Sequence, residues 1–344
     1  MARSYLGPRI WALLIVALAF NIGACGGGTG DTSQNGDEQD NRLRVVTTVS
    51  PITNIVENIG GLRIRLEGVV PEGVNSHTFE ATPSMAKLMA EADIIIINGL
   101  FLEQPTLALA QSNKKAETGI LFLGDQAISR EDWEFDFTFP ESAGHPNPHL
   151  WPDPILALRY AELVHTELAA LDPANTGYYG ENLERFRGRI VEMDQAIRTA
   201  VATIPAQNRK LLTYHDSWAY FAKRYDLEII GAIQPSNFSQ PSVKEVASLI
   251  DQVRALGLPA VFGSEVFASD VLEAIAKETD ARFIDELADD DLPGKPGDPD
   301  HSYLGLMRRN IQVMIPALGG DASAMEGLDV SNVFDGVSGA VYPQ

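Results

Sequence analysis

Four side chains of this sequence form a set that could hold a transition metal: His77, His149, His215 and Asp285. Three imidazoles with one carboxylate suit such an ion through nitrogen and oxygen donors. The strongest local signal is the stretch around His149, which reads H-P-N-P-H-L-W-P-D-P from His145 to Pro154. Its four prolines fix φ and bias the preceding residues towards extended backbone, so the loop is stiff and non-helical. Asp153 can cap a helix opening at Pro154, which sets His149 just before a helix N-terminus. One histidine in a proline-rich loop serves packing as readily as chemistry, so its surroundings must decide.

Those surroundings alternate between strands and helices. Leu43 to Val49 is a β-branched run, and Ser50-Pro51 follows as N-cap and first helical position. Further strands are expected at Arg63 to Val70, Asp93 to Ile97 and Gly119 to Leu123, with a helix from Thr82-Pro83. Asp172-Pro173 opens the longest helical signal, with Tyr178, Leu183, Phe186, Ile190, Met193, Ile197 and Val201 at helical spacing until Pro205. Beyond it, strands are read at Lys210 to Thr213, Leu227 to Gly231, Ala260 to Gly263 and Ala281 to Ile284. Helices start near Ser217, Ser242 and Ser269, and Ser242 with Glu245 spells a capping box.

The fold class is therefore α/β: two lobes, each a parallel sheet flanked by helices, joined by one long rigid connector helix. The expected boundaries are 43–171 for the N-terminal lobe, 172–205 for the connector and 206–318 for the C-terminal lobe. A C-terminal extension, 319–344, has no assigned role. His77 follows the second strand, His215 follows Lys210 to Thr213, and Asp285 follows Ala281 to Ile284. Ligands of open parallel sheets bind beyond the strands' carboxyl ends, so two facing lobes bring these residues to one cleft.

Composition narrows the partners. Asp plus Glu number 47 against 26 Lys plus Arg, a formal charge of -21, which disfavours nucleic acid and favours a cation. Residues 1–24 carry Arg3 and Arg9 before the apolar run Ile10 to Phe20, the pattern of a signal peptide. Cys25 is the only cysteine, so no internal disulfide forms, and its place after Gly23-Ala24 resembles a bacterial lipobox. That resemblance implies lipidation at Cys25, with 25–42 as a flexible polar tether.

Several ordered segments resemble the periplasmic or lipoprotein metal-binding components of zinc and manganese ABC importers, the ZnuA, TroA and PsaA type. They are N-S-H-T-F-E-A-T-P-S at 75–84, E-A-D-I-I-I-I-N-G-L at 91–100, N-P-H-L-W-P-D-P at 147–154, Y-H-D-S-W-A-Y-F-A-K-R-Y at 214–225 and V-F-G-S-E-V-F at 261–267. The resemblance implies that His77, His149, His215 and Asp285 are the ligands, with Glu265 nearby in the cleft. It also implies a monomer on the outer side of the membrane, held by its lipid anchor, which delivers Zn(II), with Mn(II) as the alternative, to an ABC permease and its ATPase. The segment after the last strand reads Asp285-Glu286-Leu287-Ala288 where the family usually has Asp-Pro-Leu-Gly.

Two other classes compete. A zinc hydrolase needs an open coordination position and a general base, for which Glu265 is the obvious candidate, but no H-E-x-x-H is present. A surface adhesin is compatible with the anchor but leaves the ligand set unexplained. His145 reads as an exposed loop residue or a loose extra ligand, and His165 as a mid-helix structural residue. The run Asp289-Asp290-Asp291 and the loop to His301 read as solvated, with a low-affinity cation collector as the alternative.

Overall fold

Short β-branched runs alternate with proline-opened helices along the chain, and the computed structural model shows how they stack. It describes residues 40–80, 82–234, 241–264, 266, 270–284, 287–337 and 339–342. Cys25, Glu265 and Asp285 lie outside the described residues.

The N-terminal lobe contains β1 (Leu43–Thr47), α1 (Ser50–Gly60), β2 (Ile64–Gly68), α2 (Pro83–Glu91), β3 (Ile94–Ile97), α3 (Gln104–Asn113), β4 (Gly119–Phe122), α4 (Leu123–Ala127) and α5 (Pro154–Leu171). Its strands are parallel in the order β2-β1-β3-β4, with Leu43 opposite Ile64 and Ile94 opposite Gly119. All four isoleucines of β3 are buried, as expected of a parallel strand covered on both faces.

α6 (Thr176–Ala202) is the long connector. Its 27 residues span about 40 Å at a rise of ~1.5 Å per residue. Tyr179, Phe186, Ile190, Met193 and Ile197 make the buried stripe that packs α6 against α1 and α5. The second sheet follows with β5 (Lys210–Thr213), α7 (Ala219–Tyr225), β6 (Glu228–Ala232), α8 (Val243–Leu256), β7 (Ala260–Phe262), α9 (Asp270–Glu278), β8 (Arg282–Ile284) and α10 (Tyr303–Ala317). Its parallel order is β6-β5-β7-β8. Among the described residues, no helix is long and apolar enough to cross a membrane.

The expected starts differ at two helices: Asp172-Pro173 opens only a 3₁₀ turn, Pro173–Asn175, and α6 itself begins at Thr176 behind Asn175. Val49, not Ser50, occupies the N-cap of α1; Ser50 is already helical and its side chain caps nothing. At α5 the expectation holds, since Asp153 accepts from the backbone N–H groups of Ile155 and Leu156. Ser242 and Glu245 close the capping box of α8.

The C-terminal extension is a strap. Val341 forms a parallel bridge with Glu67 on β2, the edge of the first sheet. Val330, Val333, Phe334 and Tyr342 are buried along its path.

Candidate metal centre

The loop before α5 is stiff for the reason its prolines suggest, and it buries His149 completely. His215 follows β5 by two residues and is also buried. His77 sits half-buried in the turn after β2. Three segments from two lobes thus converge: Nε2 of His149 lies 3.1 Å from Nε2 of His77 and 3.0 Å from Nε2 of His215. The donor atoms of all three lie within 4.8 Å of one another.

The tautomers follow from the groups behind the rings. The amide of Asn147 is oriented unambiguously, because its Nδ2 donates to Asp136 Oδ2 and to the Asp216 carbonyl, both at 2.6 Å. Its Oδ1 therefore accepts from Nδ1 of His149 at 2.8 Å, so that ring carries its proton on Nδ1 and offers a lone pair at Nε2. Gln234 Oε1 accepts from Nδ1 of His215 at 2.7 Å with the same result. Burial, and secondarily the neighbouring imidazoles, lower the pKa of His149 well below the usual histidine value. Burial and then His215 lower that of His77 likewise.

Two lone pairs facing each other at 3.0 Å repel unless a cation lies between them. A tetrahedral ion with bonds of about 2.0–2.1 Å separates its donors by about 3.3 Å, close to the spacing seen. The donor set and spacing of this pocket could hold a metal ion.

A carboxylate of the acidic run, expected to be solvated, stands beside the triad instead. Asp289 Oδ2 lies 3.6 Å from Nε2 of His215 and 3.9 Å from Nε2 of His149, and the residue is only 3 % exposed. Asp290 is buried too, and Asp291 accepts from the backbone N–H of Gly73 at 2.9 and 2.8 Å. The acidic run therefore turns inward. Asn310 on α10 grips the Ala288 backbone from both sides, and Trp151 Nε1 donates to the Asp289 carbonyl at 2.7 Å. The missed signal was Ala288, which together with Leu287 gives the run an apolar lead into the core.

The remaining histidines stand apart. His145 is exposed and its ring packs on Phe101 with centroids 4.0 Å apart, at the rim of a cavity of about 260 Å³ that His77, Phe139 and Pro148 also line. The rim is strained: Gly99, Leu100 and Phe101 all have positive φ, of 79°, 48° and 68°. Two carboxylates hold that turn, Glu103 accepting from the Asn98 and Gly99 N–H groups and Asp125 from that of Leu100. At Gly99, whose φ is left-handed, a Cβ would meet Asp125 Oδ2 at 2.0 Å, so any side chain there would have to displace the carboxylate that holds Leu100. His165 lies within α5 and His301 is buried against Tyr342, both away from the triad.

Comparison with known proteins gives the family and the fold. The family described as ZnuA, zinc-uptake complex component A periplasmic, matches over residues 45–317. The manganese ABC transporter substrate-binding lipoprotein PsaA of Streptococcus pneumoniae is 26 % identical over 309 residues, covering 89 % of this chain and 96 % of that protein. Among solved structures, the periplasmic zinc-binding protein TroA of Treponema pallidum aligns with a TM-score of 0.73 at 25 % identity, covering 80 % of this chain and 99 % of the other. A crystal structure of ZnuA gives a TM-score of 0.69 at 27 % identity, covering 81 % and 99 %.

Proposed function

Since the chain belongs to the ZnuA family of metal-binding components of ABC importers, we propose that it captures Zn(II) between its lobes and passes the ion to a membrane permease. His77, His149 and His215 supply three neutral nitrogens. The loop after β8 supplies a carboxylate, for which Asp289 lies within reach and Asp285 is the position implied by the family motif. The observation that carries this reading is the convergence of three imidazoles from both lobes, whose donor atoms all lie within 4.8 Å of one another, the spacing at which one ion can be held by all three.

Three nitrogens and one oxygen favour zinc over manganese, which prefers more oxygen donors. Four protein donors close the coordination sphere, whereas a hydrolytic zinc needs an open position, so the chain binds and carries but does not catalyse. Lipidation of Cys25 would anchor it outside the membrane beside the permease and its ATPase.

Metal content of protein purified without chelators, followed by calorimetric competition between zinc and manganese, tests the reading. Zinc bound at one equivalent and displaced poorly by manganese is the expected result. Preference for manganese would overturn the zinc assignment, and no binding of either would overturn the whole reading.

A further inference from the structure

Behind the triad, one buried side chain touches machinery from both lobes. Asn147 is fully buried and makes five hydrogen bonds. Its backbone N–H donates to the Glu134 carbonyl at 2.9 Å, and its Nδ2 donates to Asp136 Oδ2 and to the Asp216 carbonyl. Its Oδ1 accepts from both the backbone N–H and Nδ1 of His149, at 2.9 and 2.8 Å. Asp216 is the residue after His215. A single amide therefore orients the His149 ring in one lobe and holds the chain that carries His215 in the other.

Gln234 does only half of this. Its Oε1 fixes the His215 ring and its backbone N–H donates to the Tyr214 carbonyl, all within the second lobe. Thr138 ties it in, donating its N–H to Asp216 Oδ2 and its hydroxyl to the Gln234 carbonyl, at 3.0 and 2.9 Å. The hydrogen bonds run from His149 through Asn147, Asp216 and Thr138 to Gln234 and back to His215.

We infer that Asn147 is a positioning residue that couples the two lobes' imidazoles, so that losing its amide misplaces His215 as well as His149. This rests on the metal-binding reading above. An outer partner that orients a ligand is commonly worth about 10–100-fold in metal affinity. Asn147 orients one ligand and braces a second, so Asn147→Ala should lower zinc affinity by about 100-fold. Gln234→Ala, which frees one ring, should lower it by about tenfold.

The test combines zinc calorimetry with imidazole ¹⁵N and ¹H spectra of the metal-free full chain. In the wild type, His149 and His215 should both show the Nδ1–H tautomer. In Asn147→Ala the His215 signals should move together with those of His149, and bound Co(II) should show an altered visible spectrum. Lost packing alone would lower the melting temperature and leave the His215 tautomer and the Co(II) spectrum unchanged. Should Asn147→Ala not fold, Asn147→Ser keeps a hydroxyl in the space, and the wild-type tautomers stand as a test by themselves. An Nε2–H tautomer at either ring overturns the inference, as does a smaller affinity loss for Asn147→Ala than for Gln234→Ala. If His149→Ala also keeps full zinc affinity, the metal reading itself has failed; if only the Asn147 variants keep it, the coupling alone has.

Discussion

Two imidazoles of this centre, those of His77 and His149, are held neutral by burial, and that fixes how the metal-free protein answers to acid. Because the folded pKa values of His77 and His149 lie below the unfolded value near 6.5, the unfolded chain binds more protons as pH falls through that range. Folding stability should therefore drop as pH falls below about 6.5, and the metal should be released over the same acid range. Thermal melts of the metal-free protein from pH 7.5 to 5 check the sign; stability that rose on acidification would contradict it. Asp136 behaves oppositely. Burial first, and then the facing Asp216 carboxylate, push its pKa up to about 9, so its proton is kept on folding and released on unfolding at neutral pH. Its share of stability is complete only below the ordinary carboxylate range and is lost as pH rises towards 9. Asp136→Asn should flatten that decline in melts between pH 7 and 10.

The elements explain how the ligands are aligned. Glu134 to Phe139, a loop of the first lobe, reaches across to the second: the Glu134 N–H donates to the Tyr220 hydroxyl, Lys223 pairs with the Glu134 carboxylate, and Thr138 grips Asp216 and Gln234. With α6 packed along the first lobe, metal-free and metal-bound forms should differ by small lobe tilts and local loop movement. Solution scattering with and without zinc measures this, and a wide clamshell opening would contradict it. Much of this scaffold was legible in the sequence because β-branched runs, Asp153-Pro154 and Ser242 with Glu245 are local signals whose physics is complete within a few residues. Asp289 was not legible: three successive aspartates look solvated, and only α10 and Trp151, distant in sequence, draw the first of them inward. Nor was the role of Asn147, whose partners Asp136 and Asp216 are brought to it by tertiary packing.

At the scale of the molecule, the strap after α10 covers an edge that would otherwise be open. Val341 donates to the Leu66 carbonyl and accepts from Gly68, and the Tyr342 hydroxyl donates to the buried Glu57 carboxylate at 2.7 Å. Truncation after Gly320 should lower the melting temperature and promote association through β2, since burying each large apolar side chain is worth roughly 1.5–3 kcal/mol. Zinc affinity should survive it, because Asn147 and Gln234, which orient the His149 and His215 rings, lie outside the strap. Cys25→Ser should release the protein from the membrane fraction, and unchanged retention would refute anchoring at that cysteine. The central claim is that His77, His149 and His215 hold one ion across two lobes, and zinc calorimetry on the three single alanine variants tests it most directly. Each should lose at least as much affinity as the about 100-fold expected of Asn147→Ala, and with it most of the thermal stabilisation of ~4 kcal/mol that a thousand-fold excess over Kd gives the wild type. His165→Ala serves as the control and should bind zinc as the wild type does. Wild-type affinity in all three triad variants would contradict the account.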